Sequence, residues 1–210
     1  KIIMKKIVAL LLAVLMLFSA SVMFTSCGKK ADNTLDMATN AAFPPYEYKD
    51  GETFKGIDIE IAGLIAEKLG MELEIVDTAF DSIIPAIQAK KYDIGMAGMT
   101  VTDERLEEVN FSNSYATGVQ VVIVNKDSEI KTVDDLFGDK NYTIGVQTGT
   151  TGQFYSEGDA DWGFDGFPVT TIGYKNGSLA VQDLLNGNVN YVIIDSAPAA
   201  CITEAINAMQ

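Results

Sequence analysis

Alternating strand-like and helix-like patterns of apolar residues run along most of this chain. In its first half, residues 35–39, 72–76 and 93–96 show the pattern of short strands. Between the first two, residues 57–69 carry apolar side chains at helical spacing, and Gly70 follows where a helix would end. The apolar positions that predict one face of this helix are Ile57, Ile61, Leu64, Ile65 and Leu69. Repeated strand–helix units predict an α/β protein.

The same alternation restarts after a strongly apolar strand predicted at residues 118–124. The elements predicted after it are a helix that opens at 132–137, strands at 142–146, 169–172 and 191–194, and helices at 178–185 and 197–209. Two runs of strand–helix units joined by one strand predict two lobes. We expect the first lobe over residues 35–117, and the second, including the hinge strand, over residues 118–210.

The first 26 residues have the three-part pattern of a secretory signal peptide. Two lysines precede an unbroken apolar run at residues 7–18, and smaller, more polar residues follow to position 26. The apolar run is shorter than the ~20 residues that a membrane-spanning helix needs. The segment Phe24-Thr25-Ser26-Cys27-Gly28 resembles a bacterial lipobox, so we expect Cys27 to be lipidated and residues 27–34 to form a tether. The alternative is an ordinary signal peptide followed by an incidental cysteine.

Composition narrows the possible functions. The chain has a formal net charge of −14, and removal of the three lysines in residues 1–26 would make it −17. Such an acidic protein should repel nucleic acid. The sequence has no histidine, which excludes His-based catalytic triads and disfavours a zinc site. With Cys27 lipidated, Cys201 would be unpaired, and no disulfide framework is implied.

A predicted strand-to-helix corner at residues 97–105 is a candidate anion site. It contains Gly98 and Thr100, Thr102 can cap the following helix, and Arg105 lies one turn into it. Arg105 is the single arginine beside 14 lysines, and its planar guanidinium suits a carboxylate. The alternative is a surface arginine paired with a neighbouring glutamate.

A second corner and one strand end are further candidates. Residues 147–152 form a Gly/Thr loop that includes Thr151 but lacks the spacing of a nucleotide P-loop, and this loop could be an ordinary turn. Asp195 follows an apolar strand, where its carboxylate could receive an ammonium group or cap the next helix. Phe43 and Phe80 each follow a strand, where their rings could flank a ligand or belong to the core.

Taken in order, these segments resemble the bacterial extracellular solute-binding proteins of polar amino-acid ABC transporters. The resemblance covers about residues 37–200, and the motifs that carry it are Phe43-Pro44-Pro45-Tyr46-Glu47-Tyr48, Gly56-Ile57-Asp58-Ile59-Glu60-Ile61-Ala62, Ile84-Pro85-Ala86-Ile87-Gln88, the stretch from Met99 to Arg105, Phe111-Ser112-Asn113-Ser114-Tyr115, Gly149-Thr150-Thr151 and Ile194-Asp195-Ser196-Ala197-Pro198-Ala199. The resemblance implies a two-lobed α/β fold of the periplasmic-binding-protein type (type II), which closes around its ligand.

The resemblance also implies a role for each candidate residue. Arg105 would pair with the ligand α-carboxylate, assisted by backbone N–H groups at Thr100 and Thr151. Asp195 would bind the α-ammonium, helped by the Gly98 carbonyl and the Thr100 hydroxyl. Phe43 and Phe80 would flank the ligand side chain. Asn40 would approach its end and favours a neutral or polar ligand. No cofactor or metal is implied.

The resemblance implies a non-enzymatic binding protein, which we expect to be monomeric. The signal peptide and the lipobox-like segment predict that it is exported and held at the membrane by a lipid on Cys27. It would deliver an amino acid to an ABC transporter permease. The family continues beyond the position that matches Gln210, so we expect a C-terminally truncated form of the fold. Two alternatives stay open: a periplasmic enzyme on the same fold, such as a dehydratase, and the ligand-sensing domain of a receptor.

Overall fold

The computed structural model describes residues 33–137, 141–160 and 162–209. Its strands are β1 (Thr34–Thr39), β2 (Ala42–Phe43), β3 (Glu47–Asp50), β4 (Thr53–Lys55), β5 (Glu72–Asp77), β6 (Ile94–Gly95), β7 (Gln120–Val124), β8 (Thr143–Gln147), β9 (Thr170–Tyr174) and β10 (Tyr191–Asp195). Its helices are α1 (Ile57–Leu69), α2 (Ile83–Gln88), α3 (Asp103–Glu108), α4 (Thr151–Glu157), α5 (Gly177–Leu185) and α6 (Ser196–Asn207), with 3₁₀ turns at Phe80–Ser82 and Val133–Phe137. The strand–helix alternation predicted from the sequence is present.

A parallel sheet in the order β5-β1-β6 forms the centre of the first lobe. Met37, in the central strand, pairs with Ile75 on one side and Ile94 on the other, and it is fully buried. A small core beside this sheet contains Ala38 and Ile83. A central strand that reads as nearly continuous burial is typical of parallel sheets, because both of their faces are covered.

A mixed sheet in the order β7-β10-β8-β9 forms the centre of the second lobe. Strands β8, β9 and β10 are parallel, and β7 runs antiparallel to β10. The central strand β10 is buried from Tyr191 to Ile194, and apolar clusters cover both of its faces. The apolar strand predicted at 118–124 is therefore a member of the second sheet.

Helix α1 forms where the pattern predicts it, but it does not bury its large apolar residues. Ala62 and Ala66 are buried, whereas Leu64 and Leu69 are 58% and 59% exposed. Small side chains let the helix approach the sheet closely, so the alanine face contacts it and the larger face points outward. Gly70 ends the helix in a left-handed conformation (φ 68°), and its N–H reaches the carbonyls of the last turn.

The carboxyl ends of the strands place the candidate residues. Asn40 follows β1, and the corner that contains Gly98 follows β6. In the second lobe, Gln147 ends β8 and Asp195 ends β10. In open α/β sheets the crevice beyond the carboxyl ends of the strands is the usual ligand site, and here two sheets contribute to one crevice.

The predicted signal peptide at residues 1–26 and Cys27 lie outside the described residues. Strand β1 begins at Thr34, one residue before the predicted strand, so the last residue assigned to the tether belongs to the sheet. Within the part of the chain that the structure describes, every helix is too short or too polar to cross a membrane.

Candidate functional site

One cavity lies between the two lobes, and all eight residues proposed from the sequence line it. They are Asn40, Phe43, Phe80, Gly98, Thr100, Arg105, Thr151 and Asp195. The same wall includes Glu47, Gln147 and Thr150, which the sequence analysis did not single out as site residues. The cavity is narrow, with a volume of about 10 Å³ open to the centre of a water-sized sphere.

Arg105 is the positive charge in this wall. It lies in α3, whose N-terminus is capped by the Thr102 hydroxyl accepting the Arg105 backbone N–H at 3.2 Å. Its side chain is only 6% exposed and donates to the backbone carbonyls of Thr100 at 2.6 Å and Gly149 at 2.8 Å. Burial lowers the pKa of Arg105 below its ordinary value, while Glu104 and Asp195 oppose that shift. The alternative of a surface arginine is wrong, because this guanidinium is buried at the lobe interface.

Asp195 is the negative charge that the second lobe contributes. It occupies the N-cap position of α6, but its side chain makes no capping hydrogen bond. Instead its carboxylate accepts a hydrogen bond from Gln120 Nε2 at 2.8 Å. Burial raises the pKa of Asp195, which the Gln120 hydrogen bond and the Arg105 charge oppose. The carboxylate passes so close to Gly118 that a Cβ there would lie 2.5 Å from one of its oxygens, so a side chain at position 118 would push the carboxylate aside.

Uncharged amides join the two lobes elsewhere in the cavity wall. Asn40 donates from Nδ2 to the Thr78 carbonyl at 2.8 Å and accepts at Oδ1 from Gln147 Nε2 at 2.9 Å. Gln147 is 4% exposed and ends β8 directly before the Gly/Thr loop. Gln147 could have been proposed as a site residue from the sequence, because it is a polar residue at the end of a predicted strand. Both amides are thus fixed by hydrogen bonds before any ligand contact is considered.

Phe43 and Phe80 combine the two roles considered for them. Phe43 is 8% exposed, belongs to an apolar cluster with α5 and stacks near Tyr46, with ring centroids 6.0 Å apart. Phe80 packs against the core of the first lobe and also lines the cavity. Gly98 has φ of 55°, and a Cβ there would lie 3.1 Å from the Phe43 ring, so a side chain would disturb both the turn and the ring.

Two fully buried carboxyl groups, Glu47 and Asp58, lie at the back of the site. Asp58 accepts the backbone N–H of Gly98 and the hydroxyl of Tyr115, both at 2.8 Å. No donor among the described residues reaches either oxygen of Glu47, but its carboxyl lies against that of Asp58, and a proton on Glu47 allows a hydrogen bond between the two. Burial raises the pKa of Glu47 to about 11, and the Asp58 carboxyl adds to this shift. Glu47 is therefore protonated at neutral pH.

Thr151 is the first residue of α4, directly after the Gly/Thr loop. Its hydroxyl accepts a hydrogen bond from Gln120 Nε2 at 3.0 Å, and this amide also donates to Asp195. Gln120 therefore ties the loop to the carboxylate inside the second lobe. Thr100, in the first lobe, lines the cavity opposite them.

The sequence profile of the bacterial extracellular solute-binding proteins, family 3, matches residues 35–205. The chain belongs to this family. The two-lobed α/β fold predicted from the sequence is confirmed as well, because the solved structures that resemble this solute-binding protein are two-lobed amino-acid-binding proteins.

Three similar proteins show how far the likeness extends. The arginine-binding extracellular protein ArtP of Bacillus subtilis (strain 168) is 38% identical over 70% of this chain and 57% of its own length. The arginine-bound form of truncated ArgBP from T. maritima is 37% identical with a TM-score of 0.71, covering 82% of this chain and 78% of that one. The ancestral amino acid-binding protein AncCDT-1, a precursor of cyclohexadienyl dehydratase, has 35% identity and a TM-score of 0.73, covering 83% and 75%.

This solute-binding protein spans between 57% and 66% of the length of the first curated relatives that it matches. The matched part contains the residues of the cavity wall described above.

Proposed function

We propose that this chain binds an α-amino acid in the cavity between its lobes, residues 35–117 and 118–210, and delivers it to the permease of an ABC transporter. The observation that carries the proposal is the pair Arg105 and Asp195. The two charges are opposite, come from different lobes and line one cavity. Among the described residues, neither has an ion-pair partner within 4.0 Å.

A free amino acid is a zwitterion, and each of its charges needs a partner when it leaves water. Arg105 suits the carboxylate, because a guanidinium can offer two parallel N–H groups to one carboxyl group. Asp195 suits the ammonium group. Since the two residues lie in different lobes, only the closed molecule can pair with both the carboxylate and the ammonium group of the ligand. Ligand binding then favours closure.

Arginine is the first ligand to test. ArtP and ArgBP are named for arginine, and both are more than one-third identical to this chain. The rings of Phe43 and Phe80 line the cavity and suit a cationic or flat side chain. The formal net charge of −14 favours the approach of cations. The uncharged amides of Asn40 and Gln147 also suit a neutral polar side chain, so glutamine is the second ligand to test.

Calorimetry with three related compounds tests the assignment. L-Arginine has both α-groups, agmatine lacks the carboxylate, and 5-guanidinopentanoate lacks the ammonium. We expect arginine to bind tightest and both analogues to be weaker by at least tenfold, because each leaves one buried charge unanswered. If agmatine binds as tightly as arginine, Arg105 does not hold the α-carboxylate. If no proteinogenic amino acid raises the melting temperature or gives heat, the proposed function is wrong.

An enzyme on the same fold is the second candidate, and one observation favours it. AncCDT-1 is described as a precursor of a dehydratase. Glu47 is a protonated carboxyl in the cavity wall and could donate a proton. We propose a non-enzymatic role, because Glu47 is fully buried and its carboxyl lies against that of Asp58. Incubation of the protein with its tightest ligand, followed by product analysis, separates the two: turnover would favour the enzyme.

We propose that Cys27 carries a lipid that holds the exported protein at the outer face of the cytoplasmic membrane. The lipobox-like sequence before Cys27 supports this, and a tethered binding protein has a higher effective concentration at a permease. Expression of the whole chain should place it in the detergent phase on phase separation. Cys27→Ser should move it to the aqueous phase, and equal partitioning of both forms would contradict a lipid anchor. We expect the released protein to be monomeric by light scattering.

A further inference from the structure

The guanidinium group of Arg105 faces aromatic rings from both lobes. Its central carbon lies 5.6 Å from the ring centroid of Phe80 in the first lobe and 5.8 Å from that of Phe154 in the second. Both distances fall within the range of a cation–π contact, which gains strength when the charge is desolvated. Arg105 is 6% exposed, so this charge is largely removed from water.

The hydrogen bonds of Arg105 are divided between the lobes in the same way. One terminal nitrogen donates to Thr100 in the first lobe, and the other donates to Gly149 in the second. A guanidinium has five N–H groups, so three are left for a ligand carboxylate. The group can therefore hold the second lobe and a ligand at the same time, which the single ammonium of a lysine could not do with the same geometry.

We infer that Arg105 and Phe154 form an interlobe clasp, in which Phe154 is a positioning residue that holds the closed state and slows ligand release. This inference rests on the proposed function for its effect on release, but the contact itself requires no ligand. Phe154 was not among the residues that the sequence analysis proposed. It lies on α4, one turn after the Gly/Thr loop, and it does not line the cavity.

The surroundings support a specific contact. Phe154 is held from another side by the edge of Trp162, with ring centroids 6.0 Å apart. Nearby, Gly149 of the second lobe lies close to Asp81 of the first. A Cβ added to this glycine would be only 3.0 Å from the Asp81 Cβ. Glu104, Glu108 and Asp81 line the adjoining space, yet the guanidinium bonds to carbonyls and rings instead of these carboxylates.

Ligand release tests the clasp through a comparison of side chains at position 154. Phe154→Leu keeps an apolar side chain without a ring face, and Phe154→Tyr keeps the ring. Tyr155→Leu is the matched control, because Tyr155 also contacts Trp162, at 5.2 Å, but contacts no guanidinium among the described residues. L-Arginine dissociation is followed by stopped-flow tryptophan fluorescence. The dissociation rate is confirmed with the protein immobilised on a sensor surface.

We expect Phe154→Leu to speed dissociation by about 3- to 30-fold with little change in association rate, which corresponds to the usual range of a desolvated cation–π contact. Phe154→Tyr should restore the wild-type rate, and Tyr155→Leu should leave it unchanged. Equal acceleration by Phe154→Leu and Tyr155→Leu, or no rescue by tyrosine, would overturn the clasp and leave Phe154 as ordinary packing.

A second measurement separates this result from failure of the proposed function. Urea unfolding of the ligand-free chain is compared for wild type, Phe154→Leu, Arg105→Met and the double variant. If the clasp exists, the fold change in the unfolding equilibrium constant of the double variant is smaller than the product of the fold changes of the two single variants. Additive losses would refute the contact even if arginine binds. Coupled losses without any amino-acid binding would keep the contact but overturn its role in ligand release, together with the proposed function.

Discussion

Replacement of Glu47 by glutamine should make the protein less sensitive to rising pH. Glu47 is fully buried, and burial raises its pKa to about 11 from an ordinary value of 4.5. The folded state therefore keeps a proton on Glu47 at neutral pH that the unfolded chain releases. A carboxyl group with a raised folded pKa contributes stability that is complete below its unfolded pKa and is lost as the pH rises toward its folded pKa.

The size of the effect at pH 7 follows from the unfolded pKa alone, provided that the folded pKa lies well above 7. Each pH unit above 4.5 costs about 1.4 kcal/mol, so folding at pH 7 costs about 3 kcal/mol relative to pH 4. Glutamine cannot ionise, so Glu47→Gln removes this penalty. It keeps nearly the same volume and can still donate from its amide.

Urea unfolding at pH 4 and pH 7 measures the difference directly. The effect of Glu47→Gln on the free energy of unfolding should be more favourable at pH 7 than at pH 4 by about 3 kcal/mol. Any change in packing contributes equally at both pH values and cancels from that difference. Glu52→Gln, in the exposed turn between β3 and β4, is the control and should not reproduce it. An equal effect of Glu47→Gln at both pH values would show that Glu47 is ionised in the folded protein, which refutes the reasoning.

Three further substitutions probe the cavity wall. Arg105→Ala should weaken arginine binding in calorimetry by about 2–5 kcal/mol, the usual cost of removing one member of a buried charge pair; near-wild-type affinity would remove Arg105 from the site. Asp195→Asn should weaken α-amino acids similarly but 5-guanidinopentanoate much less, and equal losses would make Asp195 merely structural. Gly98→Ala forces a side chain toward the Phe43 ring at a φ of 55°, so it should lower both affinity and the melting temperature; unchanged values would show that the turn adapts.

Some residues of the cavity could be proposed from the sequence because they lie at or soon after a recognisable strand, and the family resemblance supplied the others, including Asn40. Parallel strands bring their carboxyl ends to one edge, so a residue at the end of β1 and one at the end of β10 can face a common crevice. The order of the motifs along the chain also indicated which lobe supplies the positive charge of Arg105 and which supplies the negative charge of Asp195. The start of helix α3 could also be predicted, because Thr102 caps it as the sequence indicated and thereby fixes the turn before Arg105.

Other features depend on tertiary contacts that a single sequence does not show. The spacing of Ile57, Leu64 and Leu69 predicted the helix α1, but these side chains are exposed, and the spacing did not reveal that Ala62 and Ala66 form the face against the sheet. Glu47 begins the short strand β3, and because an acidic residue is ordinarily exposed, only the fold shows that it is buried. Phe154 gave no signal either, because its partner Arg105 lies in the other lobe.

The contacts between the lobes explain how a small ligand can control closure. Among the residues that the structure describes, two hydrogen bonds join the lobes across the site, from Gln147 to Asn40 and from Arg105 to Gly149. A net hydrogen bond contributes about 1 kcal/mol, so these contacts favour closure only modestly without a ligand. A zwitterion that engages Arg105 and Asp195 adds contacts that exist only in the closed state, and a shift from 1% to 99% closed requires about 5.5 kcal/mol of such preference. Two desolvated charge pairs supply energies of that order. Because Arg105 serves the ligand and the second lobe together, closure without ligand and closure with ligand use the same side chain, and weakening it should open both states.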